Sequence, residues 1–223
     1  MSVSGRLRSK YRRFCSAVLE RDELSMRLTH PVVSFTFDDF PASAARIGGQ
    51  VLTAANCKGT YYVSFGLMGT VAPTGKIFDA DDLACIVADG HELGCHTHDH
   101  CHAWDTPAAV FAKSISDNQC ALERILPGEL FRTLSYPISS PKPSIKKVVT
   151  GKFLGCRAGG HAPNFEQIDR NAIKSFFLER AKGDVDVVQR LLDSTIEGCG
   201  WLLLATHDIA QSPTPYGCTP DFF

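Results

Sequence analysis

Residues 32–39 read VVSFTFDD. The first six are β-branched, aromatic or small, as in a strand buried on both faces, and two adjacent carboxylates close the run. Successive side chains of a strand point to opposite faces. Asp38 and Asp39 therefore serve one site only if the strand stops there and the chain turns. Such a place is the carboxyl end of a parallel strand, where reactive groups collect.

The same pattern recurs along the chain. Further strand-like runs are GTYYVSF (59–65), HELGCHT (91–97), LFRTLSYP (130–137), FLGCRAG (153–159), KSFFLER (174–180) and WLLLATHD (201–208). Helical spacing fills the intervals over Ala42–Asn56, Asp81–Gly90, Thr106–Leu126, Ser144–Thr150 and Val185–Ile196. Asp81 and Asp82 put acids in a first turn, and Thr106-Pro107 offers an N-cap and a first-turn proline. Strands alternating with helices predict a parallel sheet covered by helices, either a (β/α) barrel or a doubly wound sheet. Residues 5–28 predict an amphipathic helix, separated from the rest by Pro31. A complete eightfold barrel takes about 250 residues, and this chain has 223 with that helix included. The expectation is a helical extension over 1–29 and one catalytic domain over 30–223. That domain should be an incomplete or open barrel, or one truncated at its C-terminus.

Composition narrows the functional classes. A hydrophobic fraction of 44% supports a sizeable core, while a formal charge of −1 argues against nucleic-acid and anionic-membrane partners. No apolar run approaches the ~18 residues of a membrane-spanning helix. The Arg-rich start contains only FCSAVL as an apolar stretch, too short for a secretory signal. Nine cysteines, an odd number without a Cys-x-x-Cys pair, fit a reducing compartment and predict a cytoplasmic protein. Cys95 and Cys101 flank a histidine cluster, but thiolate ligands usually come in sets, and a buried apolar role suits them better.

Polar groups gather at four strand ends: Asp38-Asp39, then His96, His98, Asp99 and His100, then Arg132 and Tyr136, and finally His207-Asp208. Titratable groups are costly inside a sheet, and one common mouth accounts for all of them. On an extended strand His96 and His100 would lie ~13 Å apart; on a helical turn they are neighbours and can share an ion. A His-rich surface loop is the competing reading. Two acids at another strand end favour a two-histidine, one-carboxylate metal site with open positions, for which zinc is the best match.

FTFDD (35–39), HTHDH (96–100), FRTLSYP (131–137) and LLATHD (203–208) resemble, in order and spacing, the motifs of the polysaccharide deacetylases. This is carbohydrate esterase family 4, which includes the nodulation chitooligosaccharide deacetylases. The resemblance implies a distorted, partly open (β/α) barrel. It also implies a metal-dependent hydrolase that removes N-acetyl or O-acetyl groups from an acetylated carbohydrate. Asp38 would then be the catalytic base, with Asp39, His96 and His100 the ligands of a divalent ion. Arg132 would orient the base, a backbone N–H near Tyr136 would face the oxyanion, and His207 would be the general acid. Two features depart from the family. Phe40-Pro41 stand where it usually has Gly, and its Asp-Trp element supporting the acid histidine is not visible. Arg157, His161 and Asp169 lie in the right region for that support. His98 and His102 read as bystanders, Trp201 as core, and Asp208 as either a cap or a site residue. Two other functions stay open. One is a metallohydrolase of the metallo-β-lactamase or amidohydrolase type; the other is a non-catalytic carbohydrate-binding relative.

Overall fold

The computed structural model describes residues 3–223. Seven parallel strands form one curled sheet: β1 (Val32–Phe37), β2 (Gly59–Val63), β3 (Glu92–Cys95), β4 (Thr133–Ser135), β5 (Gly155–Arg157), β6 (Phe176–Phe177) and β7 (Trp201–Thr206). Their order across the sheet is β6-β7-β1-β2-β3-β4-β5. Each strand neighbours the next in the winding of a (β/α) barrel, but β5 and β6 do not pair, so the barrel stays open there. Residues 170–173 partly bridge the seam, with the N–H groups of Cys156 and Ala158 donating to the carbonyls of Arg170 and Ile173, both at 2.7 Å. The result is the distorted, incomplete barrel that length and motif order predict.

Helices α2 (Gln50–Ala54, continuing a π-turn at Ala44–Gly49), α3 (Ala80–Ala88), α4 (Ala108–Ile125), α5 (Pro143–Val149) and α6 (Val185–Glu197) follow strands in the expected intervals. Asp79 caps α3: its side chain accepts from the N–H groups of Asp81 and Asp82, while Asp82 accepts from the N–H of Asp79. The core lies between the outer face of the sheet and these helices. There Phe37 stacks on Tyr61 at 4.6 Å, beside the fully buried Leu134 and Leu202.

The N-terminal helix α1 (Val3–Val18) is shorter than the sequence predicts. Glu23–Ser25 instead pair antiparallel with Gln167–Asp169, in a stretch whose apolar spacing has lapsed. Lys146 fixes the end of α1. Fully buried, it donates to the carbonyls of Ser16 (2.8 Å) and Leu19 (2.7 Å) and to Asp169 Oδ2 (2.7 Å). A cation at a helix C-terminus meets its unpaired carbonyls and the negative end of its dipole.

Candidate active site

Strand register selects the side chains that meet. Paired residues of a parallel sheet share a face, so Phe37, Tyr61, Cys95, Leu134 and Cys156 form the outer row under the helices. The alternate row faces the barrel interior and includes Tyr62, Gly94, Ser135 and Arg157. Gly94 is required there, because a Cβ would stand 2.4 Å from the Tyr62 ring. Asp38, His96 and His207 extend this inner row beyond β1, β3 and β7. They line one cleft of about 920 Å³.

Strict alternation would turn Asp39 away from that cleft. Its backbone takes φ +60°, and this left-handed step keeps both acids on the same side. Phe40 follows at φ +54°, a conformation that glycine adopts freely. Here a fully buried ring stacked on Phe78 at 4.7 Å and packed on Tyr61 at 4.8 Å holds the strained residue in place. Thr97 (φ +58°) and His100 (φ +49°) curl the segment after β3 in the same manner.

These turns bring Asp39, His96 and His100 together, with one ligand atom of each within 4.8 Å of the others. His96 Nδ1 lies 2.8 Å from the Ser135 carbonyl, which can only accept, so Nδ1 carries the proton and Nε2 keeps its lone pair. That Nε2 is 3.5 Å from Asp39 Oδ1, and His100 Nε2 is 3.0 Å from it. Thr74 donates to the other oxygen, Oδ2, at 3.0 Å, from a short hairpin (Val71–Ala72 with Gly75–Lys76) that the sequence pattern did not reveal. Asp39 Oδ1 itself is buried and lacks a hydrogen bond of good geometry. Burial alone would raise the Asp39 pKa and lower that of His100. The close carboxylate–imidazole contacts reverse both effects.

Asp38 is held by a different set. Arg157, only 2% exposed, places one guanidinium nitrogen on its carboxylate and on Ser135 Oγ, while Ser135 donates to Asp38 Oδ1 at 3.0 Å. The guanidinium lies over the rings of Tyr62 (5.3 Å) and Phe177 (5.1 Å) and donates to Ser175 at 2.9 Å. Burial would push the Asp38 pKa up, but Arg157, His96 and His207 outweigh it and hold the group below its usual value.

His207 Nδ1 donates to the Tyr216 carbonyl at 3.1 Å, and Nε2 has no hydrogen-bond partner among the described residues. Its ring stacks on Phe177 at 6.0 Å. Asp208 fixes the loop that carries Tyr216, accepting from Thr214 N–H (2.8 Å) and Oγ1 (2.5 Å). Glu179 also lines the cleft, its carboxyl pushed up to about 7, chiefly by burial.

The polysaccharide deacetylase family profile matches residues 26–156, more than half of the chain. The chain belongs to this family. The matched region ends before His207. No curated protein matches by sequence. Among solved structures, the chain resembles the chitin deacetylase of Colletotrichum lindemuthianum (17% identity, 82% of this chain and 76% of that one, TM-score 0.60). It also resembles a family 4 acetyl xylan esterase of Clostridium thermocellum in complex with a cobalt ion (23% identity, 86% and 79%, TM-score 0.55). A family pseudoenzyme of Bacillus anthracis shares the fold as well (12% identity, 80% and 56%, TM-score 0.56). The chain spans little more than half the length of that pseudoenzyme and of IcaB from Ammonifex degensii (57%).

Two expected roles are not met. Arg132 lies outside the cleft and is exposed, because Ser135 faces inward and a residue three positions away falls on the other face. Arg157, paired with Ser135 on the next strand, takes its place at Asp38. The Tyr136 N–H donates to the Arg157 carbonyl at 3.1 Å and is therefore not free for an oxyanion, although Tyr136 does line the cleft. Of the candidates for supporting His207, Arg157 binds Asp38 and Asp169 binds Lys146. His161 lines the cleft, but the partner of His207 Nδ1 is a backbone carbonyl, which no residue-type pattern could have identified. His98 pairs with Asp99 at 2.8 Å and His102 with Asp105 at 3.3 Å, both apart from the triad.

Proposed function

We propose that this protein is a metal-dependent deacetylase that hydrolyses acetyl groups on an amino-sugar-containing glycan. The observation that carries the reading is the convergence of Asp39, His96 and His100 beside an arginine-held Asp38 in one cleft. The donor set, one carboxylate oxygen and two imidazole nitrogens, fits a divalent ion, with zinc the best match. The buried Asp39 Oδ1 without a good hydrogen bond, facing the Nε2 lone pair of His96, is an arrangement that a cation satisfies. A divalent ion there supplies polarisation of the acetyl carbonyl and a more acidic water.

The side chains supply the proton transfers. Asp38 is kept ionised by Arg157 and takes the water's proton, while Ser135 fixes its orientation. His207, with Nδ1–H on the Tyr216 carbonyl, presents Nε2 to the departing amine, which leaves readily only when protonated.

Acetate release from acetylated chitooligosaccharides, measured together with bound metal, tests the assignment. Asp38→Asn is expected to keep the metal and lose turnover; Asp39→Ala is expected to lose both. Metal retained by Asp39→Ala after dialysis contradicts the ligand set. Sugar binding without acetate release by the metal-loaded wild type points to a non-catalytic relative instead.

A further inference from the structure

The wall of the cleft away from the metal ligands is basic. Helix α1 contributes Arg8, Arg12 and Arg13 to it, and the 3₁₀ turn Leu178–Ala181 contributes Arg180. Arg12 pairs with Asp105 at 2.6 Å and stacks over Trp104 at 5.4 Å, while Arg8 lies 3.6 Å from the same carboxylate. One acid thus answers two guanidiniums. The side chains of Arg13 and Arg180 have no ion-pair or hydrogen-bond partner among the described residues. Both line the cleft together with His161, whose pKa is lowered first by burial and then by each of these two charges. Glu179 is the other acid on this side, and with its carboxyl pushed up to about 7 it offsets only part of the charge near neutrality.

This wall has a fixed position. Cys15 and Ser16 of α1 are buried, and the fully buried Lys146 ties the last carbonyls of the helix to Asp169. The arginines therefore sit at a set place relative to Asp39, His96 and His100. Like charges crowded in a cleft raise the local concentration of anions, and guanidinium groups bind carboxylate, phosphate and sulfate through paired hydrogen bonds.

We infer that the cleft takes an anionic acetylated glycan, Arg13 and Arg180 binding an acidic group on a sugar near the one that meets the metal ligands. The acetyl group in this statement rests on the deacetylase reading; the charge rests on the arginines.

The test is equilibrium binding to the metal-loaded protein by calorimetry. The probes are a neutral N-acetylglucosamine oligosaccharide and two of equal length, one alternating with glucuronate and one bearing sulfate. At least one acidic probe is expected to bind about tenfold tighter than the neutral one at low salt, with the gap closing as ionic strength rises. The double variant Arg13→Gln/Arg180→Gln should bring the ratio near one, leaving neutral-probe affinity and metal content as in the wild type. Both side chains are exposed, and a thermal melt confirms that the variant folds. Equal binding of all probes, binding of none, or a preference that survives the double substitution overturns the inference. The two acidic probes separate a carboxylate from a sulfate as the recognised group. A charge preference without acetate release from any probe counts against the deacetylase reading alone. Acetate release with no charge preference counts against this inference alone.

Discussion

The carboxyl ends of β1 and β3 and those of β4 and β5 both supply polar groups to the cleft, but they do so in different ways. At β1 and β3 the participants are short-range neighbours: Asp38 beside Asp39, and His96 four residues from His100. At β4 and β5 the decisive contact is between strands, with Arg157 of β5 reaching Ser135 of β4 and Asp38 beyond β1. Local motifs reveal the first kind of site. The second depends on which face each strand presents, and a single residue of offset changes the outcome. Arg132 and Arg157 are the same residue type on adjacent strand segments, yet one is exposed and the other is 2% exposed.

His207→Ala, which removes the Nε2 in the cleft, is expected to lower kcat by ~10²–10⁴ while metal content stays constant. The loss should shrink on an ester substrate, whose leaving group needs less help; amide hydrolysis at the wild-type rate would return His207 to a merely structural position. Next comes Arg157→Met. Removing one partner of a buried ion pair costs about 3–5 kcal/mol, so denaturant unfolding should register a loss of that size together with loss of turnover. An unfolding midpoint unchanged by Arg157→Met would mean that Asp38 does not depend on β5.

A smaller effect concerns pH. The Glu179 carboxyl, pushed up to about 7, stays protonated in the folded protein at pH values where the unfolded chain has already ionised it. The unfolded state then binds fewer protons, so this group lowers stability as pH rises from the ordinary glutamate range towards about 7. Melting temperatures across that window should decline in the wild type relative to Glu179→Gln, and parallel curves for the two proteins would count against the burial argument. The smallest effect is expected on the exposed arginine: Arg132→Met should change stability by no more than about 0.5 kcal/mol and leave acetate release intact. A large loss there would restore the arginine of the fourth strand to the site.

The sequence shows Phe40 where a glycine is usual, but only the stacked partners Phe78 and Tyr61 explain how a left-handed backbone tolerates it there. The Arg-rich start reads as a separate helical extension. Only the buried Lys146, more than a hundred residues away, makes α1 a wall of the cleft.

Much of the architecture and part of the site were legible in spacing along one strand or helix. That includes the alternation of strands and helices and the clusters Asp38-Asp39 and His96–His100. These follow from side-chain periods of two and 3.6 residues, which are properties of a local backbone. Only the tertiary structure settles which arginine holds Asp38, that His207 Nδ1 rests on a backbone carbonyl, and that Arg13 and Arg180 line the same cleft. Those outcomes depend on register between strands and on contacts that close long loops, and no local period specifies which distant residue will arrive.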